Sequence, residues 1–219
     1  MFYYYGRKKK IAHLYPDPIH DSIVEPFAGS AAYSLYGNNW ERDVYLFDID
    51  LTIINVWKYL QQASEKDIRS LPDSGEGHAE LTKPEKDLIG FHYSPGSSIP
   101  KKSCTGFNRW GPGKSYIIEN LYKIKHWSIN QASYKAISPN GKSTWFVDPP
   151  YESGGKHYRF GSINYQHLSD WVKTLSGQVI VCEREEASWL DFKPLTKHAG
   201  IGKRSTVEGV YYLKENICV

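Results

Sequence analysis

"DSIVEPFAGSAAYSLYG", residues 21–37, is the stretch on which the fold turns. Ile23 and Val24 form a short apolar strand, Pro26 and Gly29 mark a turn, and Ser30 to Tyr36 is expected to be a helix. Strand, turn and helix in that order open an α/β unit. Further along, "DVYLFDID" (43–50) predicts a second strand ending in acids. "LTIINVWKYLQQA" (51–63) carries Leu51, Ile54, Trp57 or Tyr59, and Leu60 at helical spacing. Helices are expected in "SYIIENLYKIKHW" (115–127) and in "YQHLSDWVKTLSG" (165–177), the second ending at Gly177. Strands are expected in "TWFVD" (144–148) and "QVIVCE" (178–183), and "DFKPL" with "EGVYYL" suits a closing antiparallel pair. Strands alternating with helices predict a mainly parallel sheet covered on both faces.

Between Ser70 and Gly113 the periodicity breaks down. "LPDSGEGHAELTKPEKD" and "SPGSSIPKKSCTGFNRWGPGK" are rich in Gly, Pro and Ser and predict at most short elements. We read residues 66–113 as an insertion into a core made of residues 1–65 and 114–219. A net charge of +3 over 219 residues does not by itself announce a polyanionic partner. Cys104, Cys182 and Cys218 are far apart, with no metal or CxxC spacing, and suit a reducing cytoplasm. The eight histidines show no metal-ligand spacing either, so no metal is expected. No run approaches the roughly 18 apolar residues of a membrane span. "MFYYYGRKKK" has no apolar core after its basic residues, so a secretory signal is not expected.

Three predicted strands end in groups suited to chemistry: Glu25 to Gly29, Asp48 to Asp50, and Asp148-Pro149-Pro150-Tyr151. Ligands of open α/β sheets bind beyond the carboxyl ends of the strands. A glycine turn after one strand and an acid ending the next, about 20 residues on, is how such sheets hold a nucleoside. "EPFAGSAAY" is not GxGxxG, and Glu25 stands where a pyrophosphate would approach. That favours a cationic nucleoside, S-adenosylmethionine, over a dinucleotide; the same residues would equally make an ordinary acidic turn. In "FVDPPY" the Asp148 carboxylate and the Pro149 carbonyl are two acceptors for an exocyclic amine, and Tyr151 is a ring on which a base can stack. Such acceptors favour a more tetrahedral nitrogen and stabilise its developing charge. A turn with a structural tyrosine is the plainer alternative.

"EPFAGSAAY", "LFDIDLTIINVWKYL" and "FVDPPY", in this order and spacing, resemble the Dam-like (D12 class) DNA adenine N6-methyltransferases. "YYYGRKKKIAHLYP", "VIVCERE" and "KRSTVEGVYY" extend the likeness over most of the chain; it is weakest between about Lys66 and Pro112. The resemblance implies a Rossmann-like S-adenosylmethionine-dependent fold and a cytoplasmic enzyme of a bacterium or a phage-infected cell. It implies a cofactor turn of Glu25, Pro26, Phe27, Ala28 and Gly29, with Asp48 on the ribose and Ile49 on the adenine. Tyr5, Gly6 and Lys8 would close the pocket. Asp148, Pro149, Pro150 and Tyr151 would be catalytic. Many relatives carry a second glycine near Ala31, and Asp50 is expected to cap a helix before Thr52.

Action on a base in a duplex requires flipping it out. Lys101, Lys102, Arg109 and Lys114, interleaved with Phe107 and Trp110, are candidates for DNA contacts, as are Lys156, Tyr158 and Arg159 after the DPPY tetrapeptide. Solvated charge and a Trp110 packed under its loop are the alternatives. Arg204 and Ser205 are weaker candidates. Glu183 to Glu186 are expected to be a helix-start charge cluster. N4-cytosine methylation needs the same polarised amine, and a non-catalytic DNA- or nucleotide-binding protein on this fold is the remaining expectation.

Overall fold

The computed structural model describes residues 1–73, 79–93, 96–104, 108–138, 141–199 and 205–216. Phe107, Arg204 and Cys218 lie outside them. The described residues form one sheet of β1 (Ser22–Glu25), β2 (Asp43–Asp48), β3 (Ser128–Gln131), β4 (Ser143–Val147), β5 (Gly177–Arg184), β6 (Lys193–Ala199) and β7 (Ser205–Asn216), in the order β3-β2-β1-β4-β5-β7-β6. The β1–β2, β2–β3, β1–β4 and β4–β5 pairs are parallel. β7 runs antiparallel to both β5 and β6, so the "DFKPL"/"EGVYYL" pairing forms as expected, with Lys193 opposite Val210. The protein is α/β, with a mostly parallel sheet closed by antiparallel strands, an architecture compatible with a Rossmann-like fold.

The helices are α1 (Leu51–Gln62), α2 (Glu65–Ser70), α3 (Lys83–Tyr93), α4 (Trp110–Asn120) and α5 (Tyr165–Lys173). Strand residues alternate between the faces they serve. Ile23, Phe146, Ile180 and Cys182 pack with α1, α3 and α4, while Val24, Trp145, Val147, Val179 and Val181 pack with Leu168, Trp171 and Val172 of α5. Burial on both faces explains why the central strands read as unbroken apolar runs. No helix of the described residues is long and apolar enough to cross a membrane.

Four expectations are corrected. Residues 30–36 are not a helix but a series of turns. The Ser34 N–H donates to the Glu25 carboxylate (2.9 Å) rather than to a helical carbonyl, and Ala31 has a φ of 46°. The helix after DPPY ends at Lys173; Gly177, with a φ of 100°, instead begins β5. The helix expected over 115–127 starts earlier, at Trp110, and its last turn tightens into a 3-10 segment, Leu121–Ile124. The stretch from Ser70 to Gly113 holds α3, longer than expected, whose Leu88, Ile89 and Phe91 join the same core as Trp57.

Candidate functional site

The strand order reverses between β1 and β4: β2 and β3 lie to one side, β5 and the closing pair to the other. At such a switch point the connections leave in opposite directions and open a crevice at the strands' carboxyl ends. A cleft of 350 Å³ lies there, a size suited to a small ligand. Glu25 ends β1, Asp48 ends β2 and Asp148 follows β4, and all three line it. Tyr5, Lys8, Pro26, Phe27, Ala28, Gly29, Ile49 and Pro150 line the same cleft, so nearly all the residues expected around a cofactor converge.

Backbone geometry sets the turn. Gly29 has a φ of 43°, and a Cβ there would lie 3.0 Å from the Tyr4 ring. Its N–H donates to Asp48 Oδ2 (3.1 Å), the Asp50 N–H donates to Asp48 Oδ1 (2.9 Å), and the Gly29 carbonyl accepts from the Trp57 indole (2.9 Å). Asp48 therefore ties the first turn to the second strand. Burial pushes its carboxyl up to about 6, against the pull of the Asp50 and Gly29 amides. Glu25 is 2% exposed. Burial raises it to about 8, although the Ser34 hydroxyl (2.5 Å) and N–H both donate to it. Asp50 caps α1 by accepting from the Thr52 N–H at 2.9 Å.

At the DPPY tetrapeptide the Lys8 ammonium donates to Asp148 Oδ1 (2.8 Å) and to the Gly6 carbonyl (3.1 Å). It lies 4.6 Å from the centre of the Tyr151 ring. Burial works against this ammonium, but Asp148 and Glu208 outweigh it and hold the group well above the ordinary lysine range. Burial also pushes Asp148 up to about 6, with Lys8 pulling the other way. Gly6 has a φ of 73°, and a Cβ there would fall 2.5 Å from the Tyr158 hydroxyl. Pro149 is buried, and its carbonyl accepts no backbone hydrogen bond among the described residues. The Pro150 carbonyl accepts from the Tyr165 hydroxyl at 2.7 Å.

The candidate DNA contacts divide. Lys101, Lys102, Arg109 and Lys156 are exposed. Trp110 is not available for stacking: it is fully buried, and its indole donates to the Pro72 carbonyl at 2.8 Å. Lys114 is tied down as well, donating to the Leu71 carbonyl. Tyr158 is half-buried against Tyr5, their ring centres 5.3 Å apart. Arg159 reaches over the cleft to Asp50 (3.4 Å) and the Thr52 hydroxyl (3.1 Å).

Sequence reading missed one acid and misplaced another. Glu208, buried on β7, accepts from the hydroxyls of Tyr15 (2.6 Å) and Tyr151 and lies 3.6 Å from Lys8. Its signal was an acid inside the apolar run "VEGVYYL". Glu183 is not in a helix-start cluster but sits fully buried on β5, accepting from the Glu152 (3.0 Å) and Arg184 (2.8 Å) amides and the Trp189 indole (3.3 Å). It thus holds the chain just after Tyr151. Among the described residues, no group of three or more His, Cys, Asp or Glu is arranged to hold a metal ion. No family model matches the chain, and no curated protein matches it.

Proposed function

We propose that the protein is a DNA adenine N6-methyltransferase of the Dam-like class, with S-adenosylmethionine in the cleft and a flipped adenine over Tyr151. One observation carries the reading: a nitrogen donor, the Lys8 ammonium, already lies against Asp148 and over the Tyr151 ring. An adenine amine stacked on Tyr151 would present its N–H bonds to the same carboxylate. Glu25 and Asp48, buried at the turn, favour a cationic nucleoside over a phosphorylated one there, while Lys8 and Arg159 of the same cleft are paired with Asp148 and Asp50. Glu25, Phe27 and Gly29 would hold its amino-acid end, Asp48 its ribose and Ile49 its adenine.

When bound, the cofactor supplies a methyl group on a cationic sulfur. The chain's part is positioning and electrostatics. Asp148 and the Pro149 carbonyl draw on the amine's N–H bonds, returning lone-pair density to nitrogen. Asp148 would stand beside the nitrogen as that atom takes up the positive charge of methylation, and its carboxylate would accept the surplus proton. Lys8 must give up its bond to Asp148 for the amine to enter.

The test uses labelled S-adenosylmethionine, unmethylated DNA of mixed sequence, digestion and nucleoside mass spectrometry. N6-methyldeoxyadenosine is the expected product; N4-methyldeoxycytidine would keep the site and change the base. Asp148→Ala is expected to abolish transfer while cofactor binding persists, and full transfer in that variant would refute the role of Asp148. The Lys8–Asp148 ion pair favours one other reading, a non-catalytic nucleotide- or DNA-binding protein whose amine position stays filled. Cofactor binding without turnover on any DNA would select it.

A further inference from the structure

Lys8 fills the position that a target amine needs, and it has few ways to leave. Its side chain is 6% exposed and donates to the Gly6 carbonyl (3.1 Å) and to Asp148 Oδ1 (2.8 Å). Deprived of Asp148 where it stands, the ammonium would be a buried charge without a partner, which is strongly destabilising. So enclosed a cation needs a second acid.

One is present. Glu208 Oε1 lies 3.6 Å from the Lys8 nitrogen, beyond the length of a hydrogen bond but within that of an ion pair. After Asp148, Glu208 does most to hold the ammonium in its charged form. The next group acting on Lys8, the Cys182 thiol, is fully buried and pushed up by burial, so it is neutral and cannot replace an acid. No other Asp or Glu stands within ion-pair distance of Lys8 among the described residues.

The topology explains how an acid so late in the chain arrives there. β7 runs antiparallel to β5 and sets Glu208 opposite Arg184, so its early residues lie at the carboxyl ends of the parallel strands. Two phenols then fix the carboxylate: the hydroxyls of Tyr15 (2.6 Å) and Tyr151 both donate to Oε1. An ionised carboxylate accepts about four hydrogen bonds, so capacity for an ammonium remains. Lys8 stands 4.6 Å from the centre of the Tyr151 ring, and Glu208 is bonded to that ring's hydroxyl. A shift toward the hydroxyl edge therefore carries the ammonium from Asp148 to Glu208 and away from the ring's centre.

We propose that Glu208 is a positioning residue of this site: it takes over the Lys8 ammonium when the target amine enters, so that Asp148 is released while Lys8 stays buried and paired. The part of Glu208 in transfer rests on the methyltransferase reading; the second seat for Lys8 does not.

Nuclear magnetic resonance of the full chain with isotope-labelled lysine tests the seat without any ligand, because a buried, paired ammonium exchanges its protons with water slowly. The Lys8 signal is identified by its loss in Lys8→Met. In Asp148→Ala the signal is expected to remain, the ammonium now resting on Glu208; its loss there would overturn the proposal. Methyl transfer from labelled S-adenosylmethionine is the second measurement. Glu208→Gln keeps an acceptor for both phenols and removes the charge, and loss of one charged contact corresponds to about tenfold. Transfer should fall by about that factor while the Lys8 signal persists, since Asp148 retains the ammonium. Undiminished transfer would overturn the proposal, and so would transfer lost together with the Lys8 signal, which would make Glu208 a structural support alone. If one of the two variants does not fold, the other decides. Absence of transfer by the unsubstituted protein on every DNA would instead remove the methyltransferase reading, and the Lys8 signal of Asp148→Ala would still decide the second seat.

Discussion

Ala31 has a φ of 46°, the only positive φ of a non-glycine among the described residues, and it is 1% exposed. An L-residue there crowds its Cβ against the following carbonyl, at a cost of about 1–2 kcal/mol. The strain belongs to the turn that carries Glu25 and Gly29, where strained backbone often accompanies function. Ala31→Gly should relieve it, less the roughly 0.5–1 kcal/mol of extra chain entropy that glycine loses on folding. We expect a gain in stability of up to about 1 kcal/mol, read from the urea midpoint; a clear loss would mean that the Cβ packing of Ala31 outweighs its backbone strain. At this scale the sequence was informative. A glycine was missed near position 31 against the resembled family, and the geometry gives that gap a physical content. That residues 30–36 are turns rather than a helix was not legible, because the pattern of apolar residues cannot reveal that a carboxylate nine residues back captures the Ser34 amide.

Among the elements, β1, β2, β4, β5 and α1 could be read from apolar runs and helical spacing, since burial writes itself directly into composition. β3 could not: "SINQ" is a short, polar edge strand held by pairing with β2. α3 was hidden by surrounding Gly and Pro, and by its own Gly90, where a Cβ would collide with the Lys101 carbonyl. The least legible contribution is that of β7. Its Glu208 joins Tyr15, Lys8 and Tyr151, three residues from two distant parts of the chain. Removing one partner of a buried charged network typically costs about 3–5 kcal/mol. Glu208→Ala should therefore destabilise the protein by about 3 kcal/mol, measured by denaturant unfolding. A change below about 0.5 kcal/mol, the range of an ordinary surface substitution, would mean that the tyrosines and Lys8 hold their places without it.

For the whole molecule, three acids of the cleft and two buried nitrogen bases set the response to pH. The carboxyls of Glu25, Asp48 and Asp148 are raised to about 8, 6 and 6, mainly by burial. From the ordinary carboxylate range up to these values the folded state binds more protons than the unfolded chain. The acids' contribution to stability therefore falls as pH rises through that window, while the buried His92 imidazole and Met1 amine, both lowered to about 4, contribute stability that rises with pH up to their ordinary values. Each tenfold difference in proton affinity between the folded and unfolded states is worth about 1.4 kcal/mol. The acids' share from pH 5 to pH 8 should thus be a decline of a few kcal/mol, Glu25 contributing most. Thermal unfolding of the ligand-free protein reads this by difference: in Glu25→Gln the midpoint should fall less, or rise more, with pH than in the unsubstituted protein. Identical pH slopes in the two proteins would contradict the assignment.

The parallel strands also give the molecule a front and a back. The carboxylates that line the cleft all stand at the ends of strands or just beyond them, whereas Gly141 precedes the start of β4 at the opposite edge. A Cβ added at Gly141 meets nothing within 4 Å, although its φ of 80° disfavours most side chains. The adjacent Lys142, whose side chain is 56% exposed, offers an ordinary backbone on which to place a single reactive handle. Anchored to a sensor chip through that position, every molecule would present its cleft outward, and ligand capture could be followed on a uniformly oriented surface.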